Sequence, residues 1–287
     1  MPAELLDGKA LAGRIQHRIS DEVRRLGFSP KLAVVLVGDN PASQVYVSHK
    51  QRACEKVGFE SVVVRLPADS TQEDVEYAVN YWCHAPSVAA DGVLVQLPLP
   101  HHLNRNRVLN AVDPMKDVDC FHAENVGKLI QGGAVFKPCT PSGIIRLLKE
   151  YNIPTKGKKV TIVNRSMVVG MPLSVLLIHE GDATVTVCHE HSDVPAAVEG
   201  ADIVVTAVGK YPEYHLRPEW VKPGAVVIDV GINRTSANTI MGDVVDYAGM
   251  CERASHVTPV PGGVGPLTVA YLLKNTLTAA KLSKGIK

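Results

Sequence analysis

Lys50, in the segment YVSHK, is one candidate in this sequence for a side chain that moves a proton. It follows Tyr46 by four residues, so a helix would place both side chains on one face. A sheltered lysine can have its pKa lowered enough to act as a base or proton shuttle, and a tyrosine offers a stacking face and a hydroxyl. Taken alone, such a pair is most often a solvated helix surface.

Two other short segments carry polar groups next to apolar runs. Gln96 in VQLPLP lies at the carboxyl end of an apolar strand, where α/β sheets place their ligand contacts, although capping of a loop is the commoner explanation. Asp117 and Asp119 are two residues apart in KDVDCFH. They suit a general acid–base pair, a metal site or ordinary turn chemistry, and turn chemistry is the default interpretation.

The segment VNRSMVVGMP, residues 163–172, lies between two apolar runs, where a phosphate-binding turn between strand and helix belongs. Arg165 and Ser166 are placed to reach phosphate oxygens, and Gly170 permits a close backbone approach. Asn164 stands where a first glycine is expected, and we expect it to tolerate the left-handed conformation that such a turn needs. A turn without a ligand is the alternative.

Glu190 lies just past the second strand of the same region, in VCHEHSD. An acid there usually binds a ribose 2′-hydroxyl and favours NAD, whereas Arg165 favours the 2′-phosphate of NADP and a protonated His191 would help it. A solvated loop acid is the alternative. His189 and His191 alternate as metal ligands do, but without an evident third ligand we predict no metal.

The elements that must position these residues alternate between helix and strand. Helices are predicted at 11–26, 43–57, 143–151, 172–180 and 267–282, and strands at 32–37, 61–66, 92–97, 159–164, 183–189, 201–209 and 225–232. This alternation predicts an α/β fold of two lobes: an N-terminal parallel α/β lobe and a Rossmann-like nucleotide-binding domain, with the active-site cleft between them. The segment PVPGGVGP, 259–266, would form either a shaped backbone wall against a flat ligand or a rigid linker.

Composition narrows the class of protein. The 287 residues are 46% hydrophobic and 21% charged, with a formal net charge of +1, which argues against nucleic acid or an anionic membrane as partner. No apolar run approaches the length of a membrane helix, and the first residues lack the pattern of a signal peptide. The six cysteines are scattered without a CxxC pair, which favours free thiols. We expect a cytoplasmic protein.

Several motifs occur together in an order that covers nearly the whole chain. They are Tyr46-x-x-x-Lys50, VQLPLP at 95–100, KDVD at 116–119, NVGKL at 125–129, PCTP at 138–141, the RSxxVGxP turn, VIDVGIN at 227–233 and TPVPGGVGPLT at 258–268. In this combination the chain resembles the FolD family, bifunctional methylenetetrahydrofolate dehydrogenase/methenyltetrahydrofolate cyclohydrolase.

The resemblance implies a homodimer that oxidises 5,10-methylenetetrahydrofolate with NADP and hydrolyses the methenyl product to 10-formyltetrahydrofolate. It implies a catalytic, folate-binding domain at 1–141, completed by the C-terminal helix at 266–287, and a nucleotide-binding domain at 142–265. The alternative is an NAD-preferring or dehydrogenase-only member of the same family. A two-lobed amino-acid or shikimate-type dehydrogenase leaves PVPGGVGP and VQLPLP without a role, and a non-catalytic binding protein leaves Lys50 and Gln96 without one.

The resemblance also implies roles for individual residues. Lys50 would activate water or shuttle protons, Tyr46 would stack on the folate, Gln96 would tune Lys50, and Asp119 would bind the pterin edge. Further folate contacts would come from Pro261, Gly262 and Gly263, and cofactor contacts from Asn164, Arg165, Ser166, Gly170 and Ile232.

Three residues depart from the family pattern. Asn164 replaces a glycine, Glu190 stands where a serine is usual, and Cys120 replaces the glycine after KDVD. The first two leave NAD open beside NADP, and we expect Cys120 to preserve activity.

Overall fold

A computed structural model of the protein describes residues 2–234 and 239–286. The chain packs as two α/β units. One contains the chain up to Ala12 together with Cys139–Thr268, and the other contains Gly13–Pro138 together with the chain from Val269 onward. Within the described residues, no helix is both long and apolar enough to cross a membrane.

The strands and helices follow the predicted alternation. The strands are β1 (Glu4–Leu5), β2 (Lys31–Val37), β3 (Glu60–Leu66), β4 (Gly92–Val95), β5 (Lys159–Val163), β6 (Thr184–Cys188), β7 (Ile203–Thr206), β8 (Val226–Asp229), β9 (Asn233–Arg234), β10 (Ile240–Met241) and β11 (His256–Val257). The helices are α1 (Gly8–Leu26), α2 (Pro41–Val57), α3 (Gln72–His84), α4 (Arg105–Asn110), α5 (Ala123–Ile130), α6 (Cys139–Glu150), α7 (Gly170–His179), α8 (Val194–Glu199), α9 (Tyr247–Arg253) and α10 (Val264–Ser283).

The unit that contains Gly13–Pro138 is built on a parallel sheet of three strands in the order β3-β2-β4. The central strand β2 has an almost continuous apolar sequence because both its faces are buried. Val34 of β2 lies opposite Val63 of β3 and Leu94 of β4. Apolar residues of α3, among them Val75 and Val79, join the core on one face.

The other unit is built on a sheet of six parallel strands in the order β1-β11-β8-β7-β5-β6. The chain runs from β5 to β6 on one side and then crosses to β7 on the other. The carboxyl ends of the neighbouring strands β5 and β7 are therefore the topological switch point, where open α/β sheets bind ligands. Together the two parallel sheets confirm the predicted α/β fold class.

The N-terminal residues belong to the six-stranded sheet. Glu4 of β1 pairs with His256 of β11 in parallel register. The sequence-based division placed all of 1–141 in the first lobe; the structure puts the residues up to Ala12 with Cys139–Thr268. A two-residue strand at the chain start carries no periodicity by which to detect it.

The segment PVPGGVGP packs against the first turn of α1. The backbone N–H of Lys9 donates to the Gly262 carbonyl at 2.8 Å. Gly8 approaches Gly263 so closely that a Cβ on Gly8 would lie 1.8 Å from the Gly263 carbonyl oxygen. The segment is therefore part of the packed unit and not a linker, and Gly8 is needed for the contact.

We expect Gly8→Ala to lower the free energy of unfolding by about 1–3 kcal/mol, because the added methyl meets backbone atoms that cannot rotate away. Gly13→Ala in the same helix is the matched control. A Cβ on Gly13 meets nothing within 4 Å, so this variant should gain about 0.5–1 kcal/mol from helix propensity. Urea unfolding measures both. Equal effects of the two substitutions would contradict the close contact at Gly8.

Candidate functional site

The lysine predicted to move protons is paired with the predicted glutamine. Gln96 lies one residue past β4 and Lys50 lies on α2; the Lys50 Nζ donates to the Gln96 Oε1 at 2.9 Å. The Gln96 side chain is 8% exposed, and its Nε2 donates to the Leu97 carbonyl at 2.7 Å. This second bond orients the amide so that its oxygen faces the lysine. Tyr46 lies one turn before Lys50 and is 38% exposed.

The loop that carries Asp119 is held by Asp117. The buried Asp117 carboxylate accepts hydrogen bonds from the backbone N–H groups of Phe121 (3.1 Å) and His122 (2.8 Å) and from the Asn125 side chain (2.9 Å). Burial raises the pKa of Asp117. Asp117 therefore performs the turn chemistry that was the default interpretation, while Asp119 is only partly buried. Among the described residues, no group of three His, Cys, Asp or Glu side chains is placed to hold a metal ion.

Cys120 adopts the left-handed conformation that glycine favours. Its φ is 62°, which costs a non-glycine residue about 1–2 kcal/mol. The side chain is buried, and its Sγ donates to the Phe136 carbonyl at 3.3 Å. Burial raises the pKa of the Cys120 thiol, so it stays neutral. The cysteine keeps the backbone shape of the glycine it replaces and adds one contact across the unit.

In the strand-to-helix turn, Asn164 uses its side chain to hold the backbone. Its Oδ1 accepts from the N–H groups of Ser166 (2.6 Å) and Gly170 (3.3 Å). Its Nδ2 donates to the Ala207 carbonyl, just past β7, at 2.6 Å. A Cβ on Gly170 would lie 1.8 Å from the Asn164 carbonyl oxygen. One amide thus bridges the switch point, and glycine is required at the start of α7.

The expected left-handed backbone at Asn164 is wrong. Asn164 is not among the described non-glycine residues with positive φ, which are Cys120, Asn152 and Asp182. The asparagine is suited to the turn because its side chain has both an acceptor and donors for backbone groups. Since that side chain is engaged with the protein, a ligand at this turn would meet Arg165, Ser166 and the amino end of α7.

Arg165 and Glu190 form an ion pair. The Arg165 Nη2 lies 2.7 Å from the Glu190 Oε1, and the side chains are 55% and 63% exposed. The His191 Nε2 is 3.8 Å from the same oxygen. The turn after β5 therefore meets the loop after the adjacent strand β6. Glu190, which in the sequence analysis favours NAD, and Arg165, which favours NADP, are therefore in direct contact.

Two buried carboxylates that the sequence reasoning missed hold the loops after β7 and β8. The Asp243 carboxylate accepts from the N–H groups of Val208 (2.7 Å) and Gly209 (2.9 Å). The Asp229 carboxylate accepts from the N–H groups of Gly231 (2.9 Å), Asp243 (3.0 Å) and Val244 (2.8 Å). Burial raises the pKa of Asp229 to about 7. An aspartate ending the strand VVID, with a glycine two residues later, was the available sequence signal.

Ile232 follows this network and is 42% exposed. Its backbone oxygen would lie 3.2 Å from a Cβ on Gly209, so the loops after β7 and β8 are in contact. The structure thus brings Asn164, Arg165, Ser166 and Gly170 into one turn and places Ile232 on another loop of the same edge. In the PVPGGVGP segment, Pro261 is exposed and Gly262 partly exposed, whereas Gly263 is buried.

A parallel sheet with a bridged switch point, a basic residue and a helix amino end defines a Rossmann-type nucleotide-binding unit. The comparisons with known proteins agree. The family model for the tetrahydrofolate dehydrogenase/cyclohydrolase NAD(P)-binding domain matches residues 138–284, and that for the catalytic domain matches residues 6–119. The chain belongs to the tetrahydrofolate dehydrogenase/cyclohydrolase family.

Individual relatives are similar over their whole length. Bifunctional protein FolD 2 of Geobacter sulfurreducens is 47% identical over 98% of this chain and 98% of its own. The crystal structure of the bifunctional FolD of Campylobacter jejuni is 43% identical, with a TM-score of 0.91 over 98% of this chain and 99% of that one. The Trypanosoma brucei FolD, solved with NADP cofactor and an inhibitor, is 37% identical, with a TM-score of 0.92 over 99% of both chains.

We expect Asn164→Gly to lower the free energy of unfolding by about 1–3 kcal/mol, because it removes three hydrogen bonds of a partly buried side chain. Asn164→Ala should lower it by a similar amount. Met167→Ala, at an exposed position of the same turn, should stay within about 0.5 kcal/mol of the original chain. Urea unfolding compares them. A glycine variant as stable as the original chain would mean that the three side-chain hydrogen bonds of Asn164 do not stabilise the fold.

Proposed function

We propose that this chain oxidises 5,10-methylenetetrahydrofolate to 5,10-methenyltetrahydrofolate with NADP and then hydrolyses the product to 10-formyltetrahydrofolate. The observation that carries the proposal is the Lys50–Gln96 hydrogen bond of 2.9 Å at the carboxyl end of β4. This hydrogen bond supports the hydrolysis in particular, because an enzyme that carried out only the dehydrogenation would not need a positioned lysine. Relatives that match nearly the whole chain are named bifunctional, which supports both steps.

The residues fit a bound dinucleotide. The amino end of α7 and the Arg165 guanidinium offer positive charge to phosphate groups, and Gly170 lets the backbone approach closely. When bound, the dinucleotide accepts a hydride from the methylene carbon. Arg165, Ser166 and Gly170 would hold its phosphates, and Ile232 would contact it from the loop after β8. In this proposal Asn164 shapes the turn through its backbone bonds.

On the folate side, Tyr46 would stack on the flat ring system and Asp119 would accept hydrogen bonds from its polar edge. In the hydrolysis, water adds to the methenyl carbon and loses a proton. The remaining hydroxyl then loses its proton as the bond from that carbon to N5 breaks, and N5 gains a proton, which leaves the formyl group on N10. Lys50 is the group that we propose moves these protons, and Gln96 holds it in position.

We further propose that the catalytic domain comprises 1–141 and 266–287 and the dinucleotide-binding domain 142–265, with β1 as a structural addition to the second. Pro261, Gly262 and Gly263 would line the folate site through the exposed part of their segment. We place the enzyme in the cytoplasm, with folate and dinucleotide as its small-molecule partners and neither nucleic acid nor membrane among them. Its 10-formyl product is a one-carbon donor suited to purine biosynthesis.

A homodimer is also part of the proposal. β3 is an edge strand of its sheet, and its residues are only partly buried. Beside it lies a groove of about 660 Å³ that is lined by Leu66, Tyr77, Tyr81 and Trp82 among others. Tyr77 is 72% exposed. An edge strand next to exposed aromatic side chains suits pairing with a second copy of the chain.

We expect Lys50→Met to lower the rate of methenyltetrahydrofolate hydrolysis by at least about 100-fold, because it removes the proton-transferring group. NADP binding should be unchanged. Lys56→Met on the same helix, where the lysine contacts only Gln16 in the bonds shown by the structure, should hydrolyse normally. Spectroscopic assays of methenyl decay and of NADP reduction with 5,10-methylenetetrahydrofolate measure the two steps. Undiminished hydrolysis in Lys50→Met, or no NADP reduction by the original chain, would contradict the proposal.

We expect the original chain to be a dimer by light scattering coupled to gel filtration. The double variant Tyr77→Glu/Tyr81→Glu should be a monomer, because it places charges in the proposed interface. Ile178→Glu, at an exposed position of α7, is the control and should remain dimeric. A monomeric original chain, or a double variant that stays dimeric, would overturn this interface.

A further inference from the structure

The position of Glu190 gives it access to whatever lies at the dinucleotide turn. β6 pairs with β5 in parallel, with Cys188 opposite Val163, so the loops that follow the two strands leave the sheet side by side. Glu190 is the second residue after β6. In Rossmann-type sheets an acid at this place meets the ribose of the adenosine half. The fold therefore puts the Glu190 carboxylate where a 2′-hydroxyl or 2′-phosphate would lie.

The contact with Arg165 makes this acid relevant to the choice of dinucleotide. Arg165 is the cation of the turn, and its Nη2 is 2.7 Å from the Glu190 Oε1. Both side chains are more than half exposed, so a ligand can reach them. An exposed ion pair stabilises a protein little, and a ligand can therefore displace it. A phosphate that binds at the position of the Glu190 carboxylate must therefore displace Glu190 from Arg165.

The two dinucleotides meet this pair differently. A 2′-phosphate carries nearly two negative charges and would compete with Glu190 for Arg165, with the displaced carboxylate left nearby. A free 2′-hydroxyl can donate a hydrogen bond to the carboxylate and leaves the ion pair in place. His191 lies 3.8 Å from the same oxygen, farther away than Arg165.

We propose that Glu190 is a specificity-determining residue for the dinucleotide: it competes with a 2′-phosphate for Arg165 and accepts a hydrogen bond from a free 2′-hydroxyl, so that this chain binds NAD as well as NADP. The inference rests on the proposed function, since it concerns the same turn. It assigns the preference to one side-chain contact that can be removed without touching the folate site.

Titration calorimetry without folate tests the proposal apart from catalysis. The ligands are NADP and NAD, together with the fragments 2′,5′-ADP and 5′-AMP, which differ only in the 2′-phosphate. We expect Glu190→Gln to tighten NADP and 2′,5′-ADP binding by about tenfold, since a like charge leaves the phosphate site. NAD binding should weaken or stay unchanged. Glu199→Gln, at an exposed acid of the same unit, should leave all four affinities unchanged.

The second variant, Arg165→Met, tests whether Glu190 affects 2′-phosphate binding through Arg165. If Glu190 acts by holding Arg165, the gain in 2′,5′-ADP affinity from Glu190→Gln should fall to less than half when Arg165 is already methionine. An unchanged ratio of NADP to NAD affinity in Glu190→Gln would overturn the proposal, and so would the absence of binding of either dinucleotide. A changed ratio in a protein that does not turn over folate would uphold the role of Glu190 while contradicting the proposed function.

Discussion

The nucleotide-binding unit depends on the loops at the carboxyl ends of the neighbouring strands β5 and β7 being held in place. Strands buried on both faces offer a ligand no polar group along their length, so recognition has to occur where the strands end. There the Asn164 amide spans from the turn after β5 to the Ala207 carbonyl after β7. The same side chain holds the Ser166 and Gly170 N–H groups. One residue thus fixes both sides of the place where a dinucleotide would bind.

The neighbouring loops are fixed by buried carboxylates in the same manner. Asp243 and Asp229 together accept hydrogen bonds from five backbone N–H groups, those of Val208, Gly209, Gly231, Asp243 and Val244. Glycine is required where these loops pass the carboxylates: a Cβ on Gly231 would lie 2.2 Å from an Asp243 oxygen. Loops whose backbone N–H groups are bonded to buried carboxylates keep a fixed conformation, and a binding site needs such pre-organised loops.

In the other unit, a glutamine amide holds a lysine in position. Gln96 follows a strand of four buried residues and has its own amide turned by the Leu97 carbonyl. Its oxygen therefore faces the Lys50 ammonium before any ligand arrives. In the loop that carries Asp119, the neighbouring Asp117 and Asn125 supply the internal hydrogen bonds. In both units, the residue predicted to contact the ligand is supported by a polar neighbour that is bonded to the backbone.

The sequence predicted the long helices and the central parts of the strands, because apolar runs such as LAVVLV and KVTIV match a strand buried on both faces. It extended the strands predicted at 201–209 and 225–232 beyond their observed ends at Thr206 and Asp229. It missed β1, β9, β10 and β11, which have two residues each and whose pairing is decided by distant parts of the chain. It identified Asn164 and Glu190 as unusual. The actual use of Asn164 depends on the Ala207 carbonyl, 43 residues away, and Asp243 is buried by contacts that no local pattern records.

The central claim is that the dinucleotide binds at the carboxyl edge of the six-stranded sheet, on loops held by Asn164 and Asp243. Hydrogen–deuterium exchange with and without NADP tests it directly. The account predicts slower exchange in 164–170, 189–191 and 207–209. Slower exchange confined to the opposite edge, around the cavity of about 240 Å³ that is lined by Tyr151, Lys158 and Lys222 among others, would contradict it.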